Sequence, residues 1–313
     1  MDQDSKIAVF GGSGLLGRAI CKVLDQQGYS NISSPSHDEV DLLQRDVVID
    51  YLADAKPDNI FMVAGLVGGI QRNRAHQANF LYDNSMMALN LLESSRTEVP
   101  NSRLLYTGAT CVYPKNCPQP IKEESFLSGK LEETSIGYAA AKILGIIGFQ
   151  KYNEQHGLDT VCAMPTSLYG LGDNYNLEEG HQIAGLIKRF LEAKKSGDDI
   201  ILWGSGKPRR EALYSEDCAN SLIHLMNSSS NDLVNVGMGR DYSIKEFAET
   251  IGEEIGFTGR INWDTSKPDG TYQKLTDNSR FLEIYPGFKP MRFKEGLSKI
   301  LNDGSEVQRI LSS

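Results

Sequence analysis

Apolar residues fall along this chain in two alternating rhythms. Short, nearly unbroken runs at Lys6–Phe10 (KIAVF), Asn59–Val63 (NIFMV), Arg103–Thr107 (RLLYT) and Asp159–Pro165 (DTVCAMP) predict strands buried on both faces. Between them, apolar positions spaced by three and four predict helices over Leu15–Gln27, Arg45–Lys56, Asn79–Ser95 and from Tyr138 to about His156. Strand and helix in strict alternation predict an α/β fold, a doubly wound parallel sheet. From about Leu171 the rhythm breaks into loop-rich sequence, where DIILWGSGKPRRE and RINWDTSKPDGTYQKL read as strands and loops of a smaller C-terminal α+β domain. The expected division is residues 1–170, with a later return at about 211–240, against 171–313. Only Asn227–Asp232 (NSSSND) reads as a plain polar linker.

Composition narrows the partners. The 313 residues are 40% hydrophobic and 23% charged, enough to bury a large core, and the net charge is −9. An acidic chain lacks the basic footprint that nucleic acid or an anionic membrane requires, so any phosphate must be held locally. The five cysteines, Cys21, Cys111, Cys117, Cys162 and Cys218, are odd in number and scattered, which points to neither a disulfide framework nor a metal site. A reducing cytoplasm is therefore expected. No basic segment with a signal core opens the sequence, and the longest apolar run, 60–70, is too short to span a bilayer.

The first strand runs into Gly11-Gly12-Ser13-Gly14-Leu15-Leu16-Gly17, a G-x-x-G-x-x-G turn that opens a helix. Glycines there let the backbone approach a pyrophosphate, and the helix N-terminus, at the peptides of Gly14, Leu15 and Leu16, supplies free N–H groups and partial positive charge. This turn makes the sheet a Rossmann fold holding a dinucleotide. At the tip of the second strand, where an NAD site wants a carboxylate, the sequence offers Ser33, Ser34, Ser36 and His37. Hydroxyls and an imidazole suit a 2′-phosphate better, so NADP(H) is the expected cofactor, with Asp38 and Glu39 beginning the next turn.

Tyr138-Ala139-Ala140-Ala141-Lys142 places a phenol and an ammonium on one helix face. A nearby cation stabilises a phenolate and is expected to lower the tyrosine's pKa, so that Tyr138 can give a proton to a carbonyl oxygen as hydride reaches carbon.

With these two motifs the chain resembles the extended short-chain dehydrogenase/reductases and, more narrowly, the GDP-L-fucose synthase family. The resemblance runs nearly end to end, through VGGI (Val67–Ile70), TCVYP, YAAAK, PTSLYG, DNYN before GHQI, WGSGKPRRE and SKPDGTYQKL. It implies an NADPH-dependent epimerase-reductase in which Cys111 and His181 act as base and acid of epimerisation while Tyr138 and Lys142 stabilise the oxyanion. Protons beside a ketone are acidic because the enolate is delocalised, so these residue types suit the task. Without the resemblance, Cys111 reads as a small buried hydrophobe and His181 as a solvent-facing helix start.

The resemblance also extends the sites. It assigns Asp41, Leu42, Pro165 and Leu168 to the cofactor. To a GDP-sugar it assigns Lys188, Arg189, Arg210 and Lys274 near the diphosphate or its neighbouring hydroxyls, Trp203 flanking the nucleotide, and Asp269 on a ribose or base group. Guanidinium forks fit phosphate oxygens bidentately. A homodimer through the helices at Asn79–Ser95 and Tyr138–His156 is implied as well.

Two positions depart from the family pattern. Ala109 stands where a serine usually hydrogen-bonds the substrate carbonyl, and Ser167 stands where asparagine is usual in PTNLYG. If strand alternation continues to residue 111, then 107, 109 and 111 share a face and Thr110 points away, so Thr110 replaces the missing donor only if the strand has already turned. These departures leave open a relative acting on another GDP-4-keto sugar, such as a heptose or colitose precursor, or a catalytically silent NADPH-binding protein. Retention of Tyr138, Lys142, Cys111 and His181 together speaks against the silent protein.

Overall fold

The computed structural model describes residues 1–177 and 179–313. Its first part is β1 (Ile7–Phe10), α1 (Leu15–Gln26), β2 (Ile32–Ser33), α2 (Arg45–Ala55), β3 (Asn59–Met62), α3 (Ile70–Ala75), α4 (Gln77–Glu98), β4 (Arg103–Thr107), α5 (Ile136–His156) and β5 (Asp159–Pro165). The chain continues through β6 (Ser167–Tyr169), α6 (Gln182–Ser196), β7 (Ile200–Trp203), β8 (Arg209–Tyr214), α7 (Ser215–Asn227) and β9 (Leu233–Val236). It closes with β10 (Asp241–Ser243), α8 (Ile244–Ile255), β11 (Ile261–Asp264), β12 (Gln273–Lys274), α9 (Ser279–Ile284), α10 (Phe293–Asn302) and α11 (Gly304–Ser312).

A six-stranded sheet in the order β2-β1-β3-β4-β5-β9 is parallel throughout. Successive side chains of each strand enter different cores. Ala8, Phe10, Ile60, Met62, Leu104 and Tyr106 pack with Leu91, Leu92 and Phe149 on one face. Ile7, Val9, Phe61, Leu105 and Val161 pack with Ile20, Leu24 and Leu222 on the other. Burial on both faces is why these strands read as continuous apolar runs.

The polypeptide after residue 170 is richer in helix than its loops suggest. A third core gathers Ile183, Ile187 and Phe190 of α6 with Phe247 and Ile251 of α8 and Phe293 and Leu297 of α10, all at helical spacing. Ser243 and Glu246 form a capping box that starts α8. Beside this core lie β10-β8-β12, with β6 also on β8, and the pair β11-β7. Among the described residues no helix is long and apolar enough to cross a membrane, and no His/Cys/Asp/Glu group could hold a metal ion.

One expectation fails at the site itself. β4 ends at Thr107, where pairing with β5 stops opposite Ala163. Ala109 is extended (φ −159°, ψ 148°), and Thr110–Val112 close a 3-10 turn through the Val112 N–H bond to the Ala109 carbonyl. The alternation assumed through residue 111 therefore does not apply, and the turn that would let Thr110 serve in place of a serine at 109 has formed.

Candidate active site

The C-terminal ends of β1, β3, β4 and β5 lie along one side of the parallel sheet, the side where such a sheet normally places its ligand. Gly11 turns at φ +96°, and a Cβ there would lie 2.6 Å from the Ala64 amide nitrogen. The Gly14 N–H bonds to the Gly11 carbonyl (3.0 Å), and the Arg18 N–H bonds to the Gly14 carbonyl (3.0 Å). Gly14 caps α1 with no side-chain bond and no acidic residue in the first turn, which leaves the N–H groups of Leu15, Leu16 and Gly17 for an anion. These residues fit a dinucleotide pyrophosphate. Arg18, which the sequence reading passed over, donates to the carbonyls of Ser13 and Gly172 and braces the turn. The cation directly after the third glycine was the available signal.

At the adenosine end, β2 is only two residues long. His37 stands exposed, its Nδ1 3.7 Å from Asp41 Oδ1. Ser36 is taken up by Glu39 and Ser33 by Tyr51, while Ser34 packs against Gly12. Asp41 is turned toward the start of α2, accepting from the Leu43 N–H (2.9 Å) and the Gln44 amide (3.1 Å), and the backbone bond first among these holds its carboxyl below the usual range. The Leu42 side chain is buried in the core, and its carbonyl accepts from Asn90. Pro165 is buried at the end of β5, and Leu168 is half-buried on β6.

Tyr138 and Lys142 lie one turn apart on α5, directly over β4. Lys142 is 3% exposed; its Nζ donates to the Thr107 carbonyl (2.8 Å) and lies 4.8 Å from the centre of the Tyr106 ring and 5.9 Å from that of Tyr138. Thr107 spends its hydroxyl on the Met62 carbonyl (3.1 Å), so it is no substitute for a serine at 109. The expected lowering of the Tyr138 pKa is not found. Burial pushes the phenol up, and the same desolvation brings Lys142 down to about 8. Phe80 supports the Tyr138 ring edge-on at 6.0 Å.

Cys111 is half-buried in the 3-10 turn beside Thr110, and burial pushes its thiol up to about 11 against the opposing pull of Lys274 and Lys142. Cys111 is in turn a charge neighbour of Tyr138, so thiol, phenol and two ammonium groups share one small region. His181 stands on a different segment of the chain. It is the N-cap of α6 and exposed, yet desolvation lowers its imidazole pKa, as at the rim of a recess where protein surrounds a side chain without covering it. Just before it, the Glu179 carbonyl accepts from the Gly69 N–H (2.9 Å) and its carboxylate pairs with Arg72 (3.2 Å), docking this segment on the loop after β3. Gln77, at the start of α4, accepts from the Gly137 N–H (3.0 Å), which ties that same loop region to the start of α5. Among the described residues no hydrogen bond joins His181 to Cys111 or Tyr138.

The nucleotide-end residues separate into two groups. Arg210 and Lys274 face each other in the β8-β12 register, and burial lowers both pKa values, with Arg210 adding to the effect on Lys274. Among the described residues neither is bonded to a carboxylate, and two such adjacent cations suit a diphosphate. Trp203 is 61% exposed beneath Lys267, whose Nζ is 5.4 Å from the ring, and Arg189 is exposed on α6. Asp269 is already engaged, accepting from the Ser205 N–H (2.6 Å) and hydroxyl (2.7 Å), so its carboxylate shapes the 204–205 turn. Lys188 is buried and bonded to Ser313, away from the expected diphosphate role.

Comparison with known proteins extends this picture. The NAD dependent epimerase/dehydratase family pattern matches residues 7–237. GDP-L-fucose synthase 1 of Arabidopsis thaliana is 39% identical over 301 residues, covering 95% of this chain and 92% of that protein. Among solved structures, a GDP-L-fucose synthetase from Naegleria fowleri bound to NADP is 28% identical with a TM-score of 0.88, covering 100% of this chain and 95% of that one. A GDP-6-OMe-4-keto-L-xylo-heptose reductase from C. jejuni is 29% identical with a TM-score of 0.90, covering 96% of this chain and 98% of that one.

Proposed function

Since the chain belongs to the NAD dependent epimerase/dehydratase family and, within it, to the GDP-L-fucose synthases, we propose that it converts GDP-4-keto-6-deoxy-D-mannose to GDP-L-fucose. NADP(H) is the cofactor and supplies the hydride. The observation that carries the reading is the bond of the Lys142 Nζ to the Thr107 carbonyl at the end of β4, beside the Tyr138 ring and close to Cys111, on whose thiol Lys274 and Lys142 both act.

The residues divide the work. Gly11, Gly14, Leu15, Leu16 and Gly17 receive the cofactor pyrophosphate, and His37 the ribose 2′-phosphate. Pro165 and Leu168 border the nicotinamide. Arg210 and Lys274 hold the GDP diphosphate, Trp203 flanks the nucleotide, and Arg189 stands at the rim. Cys111 and His181 exchange protons at the ring carbons beside the ketone. Tyr138, with Lys142 beneath it and Thr110 beside it, hydrogen-bonds the carbonyl oxygen, stabilises the enolate during epimerisation, and gives up its proton on reduction. Desolvation favours the protonated Cys111 thiol and the neutral His181 imidazole.

Residues 1–170 with α7 and β9 make the cofactor part, and the remainder of 171–313 the substrate part. A homodimer is supported by α4 and α5, which pack on each other and leave Leu81, Tyr82, Ile136 and Leu144 exposed. Five unpaired cysteines suit a reducing cytoplasm.

Ala109, Ser167 and the likeness to the C. jejuni heptose reductase favour one second reading, a reductase or epimerase of another GDP-4-keto sugar. Incubation with GDP-4-keto-6-deoxy-mannose and NADPH in heavy water, followed by NMR of the product, separates the two. Deuterium at two ring carbons with NADPH consumed is the expected result; label at one or none transfers the assignment to the second reading. Cys111→Ser is expected to stop the labelling, and Tyr138→Phe the hydride delivery.

A further inference from the structure

We propose that Tyr106 is a positioning residue for the reduction, its ring face holding the Lys142 ammonium charged and in place under Tyr138. The inference rests on the assignment of Tyr138 and Lys142 as the proton-delivering pair. Lys142 has three N–H donors, and within this buried pocket one goes to the Thr107 carbonyl at 2.8 Å. The other stabilising surface is aromatic: Nζ lies 4.8 Å from the Tyr106 ring centre, closer than the 5.9 Å to Tyr138 itself. A desolvated ammonium over a ring face is held by the ring's quadrupole, an attraction that strengthens as water is removed.

Tyr106 is itself fixed for this purpose. It is 1% exposed, stacks on Phe149 with ring centres 4.8 Å apart, and fills the space left by Gly145, where any Cβ would run into the ring. Among the described residues its hydroxyl is buried without a hydrogen-bond partner. Burial of a lone hydroxyl is unfavourable; that hydroxyl lies against Gly145, while the ring is what meets Lys142 and Phe149. The titratable groups facing Lys142 are Tyr138 on its own helix, Cys111 on the 3-10 turn and Tyr106 on β4, with Cys162 of β5 behind Tyr106. The loop after β3 faces it with Gly65, backed by Asn84 of α4, neither of which titrates.

The test grades the π face while keeping the shape. Phe, 4-fluoro-, 3,5-difluoro- and 3,4,5-trifluorophenylalanine are placed at position 106, alongside Tyr106→Leu, and kcat for NADPH oxidation is followed against pH at saturating substrate. The parent and Tyr106→Phe are expected to share an alkaline midpoint near 8, where Lys142 loses its proton. Each added fluorine is expected to lower the midpoint further, and Tyr106→Leu to lower it by roughly 0.5–1.5 pH units. A midpoint that stays fixed or rises across the series overturns the proposal. Thermal unfolding identifies a Tyr106→Leu chain that has lost its fold, and the near-isosteric fluorinated series then decides alone. Lys142→Met is run in parallel: if it reduces substrate at the parental rate, the proton-delivery assignment itself fails, whereas loss of reduction in Lys142→Met with an unmoved midpoint in the fluorinated series removes only the role of Tyr106.

Discussion

The Nζ of Lys142 donates to the backbone carbonyl of Thr107 at 2.8 Å, so the ammonium on α5 is fastened to the last residue of β4. The bond fixes where the catalytic helix meets the sheet edge. It also places the positive charge close to the turn that carries Thr110 and Cys111, near enough to act on the thiol.

Lys142 is useful only while protonated, and desolvation has brought its pKa down to about 8. Reduction is therefore expected to fall as pH rises through about 8. Lys142→Met is expected to cost roughly 10²–10⁴-fold in kcat, the usual worth of a positioned proton-transfer system. Stopped-flow NADPH fluorescence across pH checks both.

Thr110 stands on a turn rather than on the strand, and under the proposed function its hydroxyl takes the place of a serine at 109. Thr110→Val is expected to lower kcat by about 10²–10³-fold, the typical cost of one lost oxyanion donor. Adding Ala109→Ser to that variant is expected to recover most of the loss. A Thr110→Val enzyme with parental kcat would show that another group supplies the donor.

Lys274 is the foremost charge acting against the upward shift of the Cys111 thiol. Removing it is expected to raise that pKa further, leaving less thiolate at any given pH. Lys274→Met should then slow alkylation of Cys111 by iodoacetamide at pH 9, with Cys111→Ser identifying the labelled position by mass spectrometry.

Asp173 is buried, one of its carboxyl oxygens has no partner among the described residues, and burial pushes its pKa up to about 7. The folded chain thus keeps a proton that the unfolded chain, with an aspartate near ~3.9, gives up. Stability from this group is fully present at low pH, declines as pH rises from about 4 to 7, and is flat beyond. Asp173→Asn is expected to gain thermal stability relative to the parent between pH 5 and pH 8, read from the two melting curves. An unchanged difference between the curves would place the titration elsewhere.

What could be read along the chain was what is local. The glycine turn and the Tyr138–Lys142 spacing depend on neighbours within one turn, and the strands announced themselves because both faces are buried. α6, with Ile183, Ile187 and Phe190 on one face, is equally periodic, but the glycines and polar residues before it read as loop. The destinations of side chains were not legible. Asp41 and Asp269 have the chemistry of ligand-binding carboxylates, yet nearby N–H and O–H groups claim them first, and Lys188 turns to Ser313 at the far end of the chain.

The sequence by itself determined the α/β alternation, the phosphate-binding turn and the phenol–ammonium pair, because backbone sterics and helical periodicity act over a few residues. Only the tertiary structure decided that β4 stops at Thr107, that Thr110 and Cys111 share a 3-10 turn, and that Arg18 meets Gly172. Those outcomes depend on where pairing partners run out and which distant groups arrive, and desolvation, which sets the charge states of Tyr138, Lys142 and Cys111, exists only once the chain has closed around them.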